Sequence, residues 1–210
     1  MPDYGWNETA QRYVDLDTGR FVSSSAVRDA LEDVMSNSRA NMNAITQELI
    51  DGSLSLSSWQ KSMMEQIKLS HTAAAASANG GWAQMTQSDW GYAGSLIKDQ
   101  YSYLRGFADQ LADGTQALDG RALMRADMYA EAARGTYEAV RMRGMVAEGF
   151  DEARRVLGPA DHCPDCLEYA SEGWMPVEDV PAIGDSVCLT NCFCEIEYRK
   201  SGETETSDEE

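Results

Sequence analysis

The segments Cys163-Pro-Asp-Cys166 and Cys188-Leu-Thr-Asn-Cys192-Phe-Cys194 contain all five cysteines of this 210-residue chain. Twenty-one residues separate the two segments, and the 162 residues before them contain no cysteine. Two thiol clusters on short turns, joined by a loop, can place four sulfurs at about 2.3 Å from one zinc ion. The spacing therefore predicts a closed, structural metal site in the last quarter of the chain.

We expect one zinc ion per chain, held by four of the five thiols. The preferred set leaves out Cys194, because the other four cysteines then close two compact turns around the ion. Cys194 is the first substitute for one of these four. His162 is a less favoured ligand, since it is adjacent to Cys163 in the sequence and adjacent residues rarely point at one ion.

Other uses of the cysteines fit the sequence less well. Disulfides are typical of secreted chains, and residues 1–20 lack the basic start and apolar core of a secretory leader. A redox Cys-x-x-Cys usually accompanies a βαβ pattern and would not need the second cluster. A zinc deaminase needs His-x-Glu upstream of Pro-Cys-x-x-Cys, whereas His162 precedes the first cysteine here and the upstream histidine reads His71-Thr-Ala73. Disulfides or free thiols remain the alternatives to zinc.

The formal net charge of the chain is −18. Most of it lies in residues 160–210, which contain fourteen acidic residues against Arg199 and Lys200. Such a surface repels phosphate backbones, so we expect no direct sequence-specific binding of nucleic acid. The sequence contains no run of eighteen apolar residues, so no membrane association through a spanning helix is expected.

Four segments before the cysteines have apolar residues at three- and four-residue steps, which predicts four helices. Serine or threonine caps and glycine stops set their ends, and the fourth is expected to kink near Gly135 or Gly144. Their predicted ranges are about 23–51, 57–78, 90–113 and 118–157.

Strand signals are confined to the cysteine region, at 173–177 and at 194–198, where the second stretch alternates polar and apolar residues. The predicted fold is mainly α, a helical body of about four helices followed by a small zinc-stapled β-hairpin module. The predicted divisions are an N-terminal arm (1–22), a helical domain (23–158), a cysteine-rich zinc-binding module (159–200) and a disordered acidic tail (201–210).

The aromatic and methionine residues of the helices mostly occur at core spacing, so we interpret them as core residues and not as a cofactor site. His71 lies on the apolar stripe of the second predicted helix, which favours a hydrogen-bonded core histidine over a catalytic base. No nucleophile–base pair and no phosphate-binding glycine loop are visible in the sequence. We therefore expect a protein that is not an enzyme.

Three stretches of the helical region resemble motifs of one family. The first is Gly52-Ser-Leu-Ser-Leu-Ser-Ser-Trp59-Gln-Lys-Ser-Met63, which is similar to Gly-x-(Ile/Leu)-Ser-x-x-x-Trp-x-x-x-Met. The second is Gln100-Tyr101-Ser-Tyr103-Leu104-Arg-Gly-Phe107, and the third is Arg125-Ala126-Asp127-Met128-Tyr129, similar to Arg-Ala-x-x-Tyr. Their order, followed by Cys-x-x-Cys and Cys-x-Cys, resembles the Mu F-like minor head, or head-morphogenesis, proteins of tailed bacteriophages.

The resemblance covers residues 40–198 and departs from the family pattern near its end. The family often has His-Pro-x-Cys-Arg-Cys, where this chain has Leu189-Thr-Asn-Cys192-Phe-Cys194, with Cys188 one residue before the expected histidine. The resemblance implies a structural virion component that acts in head assembly or in DNA packaging and delivery. Its implied location is the phage head, assembled in the bacterial host cytoplasm, and its implied partners are portal and capsid or scaffold proteins.

Two other classes of function remain open on the residues alone. One is a zinc-stabilised adaptor of host origin, which would have protein partners but no portal. The other is a metal-dependent hydrolase, which would need three protein ligands and a water molecule on its zinc ion.

Overall fold

The computed structural model describes residues 4–7, 10 and 12–202, and helices account for most of them. Six α-helices occur in this part of the chain, five of them before the cysteines. In chain order they are α1 (Ser24–Ile50), α2 (Leu56–Ala78), α3 (Gln87–Asp113), α4 (Gly120–Glu131), α5 (Ala133–Ala147) and α6 (Pro164–Ser171). The predicted mainly α class, with strands near the cysteines, is confirmed.

The described residues also form two three-stranded antiparallel sheets. The strands are β1 (Tyr4–Asn7), β2 (Arg12–Asp15), β3 (Phe21–Val22), β4 (Glu152–Val156), β5 (Met175–Pro176) and β6 (Glu195–Arg199). The first sheet has the order β1-β2-β3 and the second has the order β5-β4-β6. Strands β5 and β6 occupy the two predicted stretches, but each pairs with β4 and not with the other.

The chain divides into two compact units, Met1–Val140 and Arg141–Glu210. We call them the body and the metal unit. The predicted boundary between 158 and 159 does not coincide with this division, and the predicted domains stay predictions. Within the described residues of both units, no helix is long and apolar enough to cross a lipid bilayer. Of the predicted acidic tail, residues 203–210 lie outside the described part of the chain.

Local capping determines where the long helices of the body begin and end. Ser23 caps α1, and its side-chain oxygen accepts a hydrogen bond from the backbone N–H of Ala26 at 3.2 Å. Thr86 and Asp89 form a capping box at the start of α3, each accepting from the other's backbone N–H. Gly114 ends α3 in the left-handed region with φ 78°. The predicted ends of α1, α2 and α3 are therefore confirmed to within a few residues.

The fourth predicted helix is confirmed up to Ala147 and is wrong beyond it. It breaks at Ala132 into α4 and α5, and α5 ends at Ala147, where the chain turns through Gly149 with φ 88°. Residues 152–156, predicted as the end of this helix, form β4 in the centre of the second sheet. Ala153 and Arg155 of β4 point inward and are buried, so a charged residue occupies one of its two inward positions.

The N-terminal residues form a sheet where the sequence indicated no strand, so that expectation is wrong. Strands β1, β2 and β3 are short, and residues 1–3, 8, 9 and 11 of the predicted arm lie outside the described residues. A Cβ atom on Gly81 would lie 1.5 Å from the carbonyl oxygen of Tyr4. The sheet therefore packs directly against the connection between α2 and α3.

The centre of the body is an aromatic cluster contributed by three helices. The Trp59 ring on α2 meets the Phe107 ring on α3 edge-on, with centroids 5.2 Å apart. Phe107 in turn stacks on Tyr129 of α4 at 6.3 Å, and the Arg125 guanidinium lies 4.3 Å above the Phe107 ring. All three aromatic residues are buried, which agrees with their interpretation as core.

Trp90 and Met128, which also occur at core spacing in the sequence, are exposed. Met128 and Trp90 each retain 37% of their accessible surface. Trp90 stacks on Trp82 with ring centroids 5.6 Å apart. His71, in contrast, is fully buried and its Nδ1 lies 2.7 Å from Thr136 Oγ1, which confirms a hydrogen-bonded core histidine.

The metal unit has a small apolar core of its own. Ala153 and Ile196 of the second sheet are buried with Val177 and Val180 from the connection that follows β5. Two guanidinium groups contact the Trp174 ring, with the Cζ atoms of Arg154 and Arg199 at 4.6 and 4.5 Å from its centroid. Because this core is small, a bound metal ion would contribute much of the folding free energy of the unit.

Candidate metal centre

Two short helical turns bring the cysteines of the metal unit together. Cys163 is the N-cap of α6, with Pro164 as its first helical residue, so Cys166 follows on the first turn. A 3-10 helix, Leu189–Asn191, has Cys188 and Cys192 as its two flanking residues. The Val187 backbone N–H donates to Asp165 Oδ2 at 2.8 Å. This hydrogen bond joins the second cysteine segment to the first turn of α6.

The five thiols carry no disulfide bond and form one cluster. Cys166 Sγ lies 3.7 Å from Cys188 Sγ and 3.7 Å from Cys192 Sγ. Four sulfurs at about 2.3 Å from a tetrahedral zinc ion lie about 3.8 Å apart. The spacing of these thiols therefore fits a metal ion, and the cluster of all five cysteines could hold one.

His162 also contacts the cluster, which the sequence argument did not favour. Its Nε2 lies 2.9 Å from the carbonyl oxygen of Gly158, and its Nδ1 lies 3.8 Å from Cys194 Sγ. A carbonyl can only accept, so Nε2 donates this hydrogen bond and Nδ1 faces the thiol. The imidazole thus faces Cys194 of the second cysteine segment.

The backbone around this histidine leaves no room for a larger residue at position 158. A Cβ atom on Gly158 would lie 2.0 Å from the carbonyl oxygen of Phe193. Gly158 therefore allows the two chain segments that carry His162 and Cys194 to approach each other closely.

Arg155 places a buried positive charge beside the thiols. Only 2% of the residue is exposed, and Nη1 lies 3.5 Å from Cys192 Sγ. Nη2 donates to the carbonyl oxygens of Pro181 at 2.5 Å and Ala182 at 3.1 Å. The guanidinium therefore fixes the loop before the second cysteine segment and stabilises negative charge on the sulfur.

Ser186 adds a hydroxyl group to the same cluster. Its Oγ lies 3.1 Å from Cys188 Sγ and 3.6 Å from Cys166 Sγ, and the residue is buried. Neither Ser186 nor Arg155 was identified from the sequence. The signal that could have indicated Ser186 is its position two residues before a cysteine, which is too common to be specific.

The pKa values of the five thiols differ widely. The backbone N–H of Cys166 lowers the pKa of Cys163 to about 7, whereas burial raises the pKa of Cys166 and of Cys188 to about 12. Burial opposes ionisation of Cys192 too, but the Cys194 backbone N–H, neighbouring thiols and Arg155 outweigh it and lower its pKa. Burial raises the pKa of Cys194. Because a metal binds thiolates, it must displace protons from the thiols with raised pKa values.

No family model, curated protein or solved structure matches this chain.

Proposed function

We propose that this chain is a minor head protein of a tailed bacteriophage, similar to the Mu F-like group. In this role it would be a structural component of the virion with no enzymatic activity. It would bind portal and capsid or scaffold proteins and act in head assembly or in DNA packaging and delivery. The observation that carries the proposal is the meeting of the three separate family-like motifs in one cluster of the body.

Each of the three motifs contributes a ring to that cluster. Trp59 belongs to the first motif, Phe107 to the second and Tyr129 to the third, and Arg125 of the third motif covers Phe107. The second motif, on α3, also contacts α2, because the Tyr101 hydroxyl donates to the carbonyl oxygen of Met64 at 3.1 Å. Residues of the three motifs thus pack together in the folded chain. This packing supports the interpretation that the motifs belong to one family-like pattern and did not arise independently.

We propose that the metal is zinc and that its role is structural. Thiolate donors favour Zn²⁺ over the harder cations Mg²⁺ and Ca²⁺. Cys166, Cys192 and Cys194 are buried, with at most 5% of each residue exposed. A site enclosed by thiols supports folding more readily than catalysis, which needs an open position for water.

The charge of the chain supports protein partners over nucleic acid. The net charge is −18, and fourteen acidic residues lie within 160–210. A duplex would have to overcome this repulsion, and its affinity would depend on phosphate contacts that such a surface does not offer.

The test is co-expression of the full chain with the portal protein encoded by the same genome. A complex that survives size exclusion in moderate salt supports the proposal, and the portal protein of an unrelated phage is the matched control. Failure to co-purify with any head component, or tight DNA binding at physiological salt, would overturn it. Terminase and portal genes next to this one would also exclude a host adaptor.

A further inference from the structure

The thiols of the metal unit divide into two groups that share one member. Cys163, Cys166 and Cys188 have their sulfurs within 4.8 Å of one another, and so do Cys166, Cys192 and Cys194. Cys166 belongs to both groups and is almost fully buried. The sequence predicts a single tetrahedral ion with one spare thiol. Such a site would not explain why the thiols form two groups that share Cys166.

Each group has a fourth donor beside it. Ser186 Oγ lies within 3.6 Å of two sulfurs of the first group, those of Cys166 and Cys188. His162 Nδ1 lies 3.8 Å from Cys194 Sγ of the second group. A nitrogen and a sulfur bound to the same tetrahedral zinc ion lie about 3.6 Å apart, so this separation fits shared coordination.

We propose that the metal unit binds two divalent ions, bridged by the Cys166 thiolate. The first ion is held by Cys163, Cys166, Cys188 and the Ser186 hydroxyl, and the second by Cys166, Cys192, Cys194 and His162. The inference rests on the zinc site of the proposed function, but it does not depend on the head-protein role.

The hydrogen bond of His162 prepares it as a ligand. A metal-bound histidine commonly donates its other ring N–H to a backbone carbonyl, which fixes the tautomer and the orientation of the ring. The contact from Nε2 to the Gly158 carbonyl oxygen, at 2.9 Å, does this and leaves Nδ1 free to bind. The close approach of Gly158 to Phe193 keeps that carbonyl in place.

The charges in the cluster balance when two ions are bound. Five thiolates are then neutralised by two divalent ions together with the buried Arg155 guanidinium, which contacts Cys192 at 3.5 Å. With one ion held by four thiolates, an excess negative charge would remain beside Arg155 even when Cys194 keeps its proton. Because unpaired buried charge is costly, the neutral arrangement is favoured.

The experiment measures zinc per chain on the full-length protein. The protein is reduced, loaded with excess zinc and desalted, and zinc is determined by elemental analysis alongside the protein concentration. We expect two ions in the wild type, one in His162→Ala, and two in the control Asp161→Ala, which changes the exposed neighbouring residue. One ion in the wild type, or two in His162→Ala, would overturn the inference.

Cadmium NMR on the full chain provides a second measurement that needs no variant. Two ions sharing the Cys166 sulfur should give two resonances that are coupled to each other, and a single resonance would overturn the inference. The outcomes also separate the two proposals. One ion rejects the bridged pair and keeps the zinc site, whereas no bound ion rejects both. Two ions without a portal complex keep the bridged pair and reject the head-protein role.

Discussion

Replacing Thr46 with valine should destabilise the body, because it removes the acceptor for the Trp59 indole N–H. Trp59 Nε1 lies 3.0 Å from Thr46 Oγ1, and both residues are fully buried. Valine has nearly the volume of threonine, so the substitution leaves the indole donor without a partner and opens no large cavity. A buried donor in this state costs about 1–3 kcal/mol, and each kcal/mol lowers the Tm by roughly 2–4 °C for a chain of this size.

Urea denaturation followed by far-UV circular dichroism measures this free energy of unfolding. The double variant Thr46→Val, Trp59→Phe lacks both the acceptor and the donor. Its decrease in the free energy of unfolding should therefore be smaller than the sum of the two single-variant decreases, by about 1 kcal/mol. Thr72→Val is the matched control, because the Thr72 hydroxyl contacts the carbonyl oxygen of Lys68 within α2, at 2.6 Å. It should stay within about 0.5 kcal/mol of the wild type. A free energy of unfolding for Thr46→Val equally close to the wild type would refute the reasoning.

Chelation should remove protease protection from residues 152–200 while the circular dichroism of the body helices persists. Loss of most helicity would show that the body also depends on the metal. Burial lowers the pKa of His71 from 6.5 to about 4, so the folded chain favours the neutral ring. Stability should therefore fall as the pH drops from 6.5 towards 4, by up to roughly 3 kcal/mol. His71→Gln should flatten this part of the profile of urea midpoint against pH, and an unchanged profile would exclude His71 as its source. Gly158→Ala should weaken zinc retention against a chromophoric chelator, because its Cβ would meet the Phe193 carbonyl. Gly144→Ala, where a Cβ meets nothing within 4 Å, should retain zinc and add about 0.5–1 kcal/mol to the free energy of unfolding.

Signals that are local in sequence predicted the body helices well. Ser23, Thr86 and Gly114 act through hydrogen bonds or backbone angles within a few residues, so their type and position suffice. The break between α4 and α5 lies at Ala132, three residues before Gly135, where the sequence predicted a kink. It coincides with buried Glu131, which forms ion pairs with Arg39 on α1 and Arg134 on α5. A contact with α1, more than ninety residues earlier, is not visible in the local pattern.

The second sheet was only partly predictable for a related reason. Alternation of polar and apolar residues identified β6, whereas β4 has Arg155 at an inward position and so lacks that alternation. The cysteine spacing identified the five thiols because it encodes two short turns directly. The contact of His162 with the cysteine cluster depends on Cys194, which is distant in the sequence, and on the Gly158 carbonyl. Its position next to Cys163 in the sequence had instead argued against it as a ligand.

The position of Arg155 has a consequence for how this region could be transplanted. Its guanidinium is supplied by β4, yet it binds the carbonyl oxygens of Pro181 and Ala182 and the sulfur of Cys192. A peptide containing only the cysteine segments would lack both this counter-charge and the central strand of its sheet. The two cysteine segments therefore cannot be transferred to another protein without β4. The smallest graft that can carry them into another protein must begin no later than Glu152, the first residue of β4.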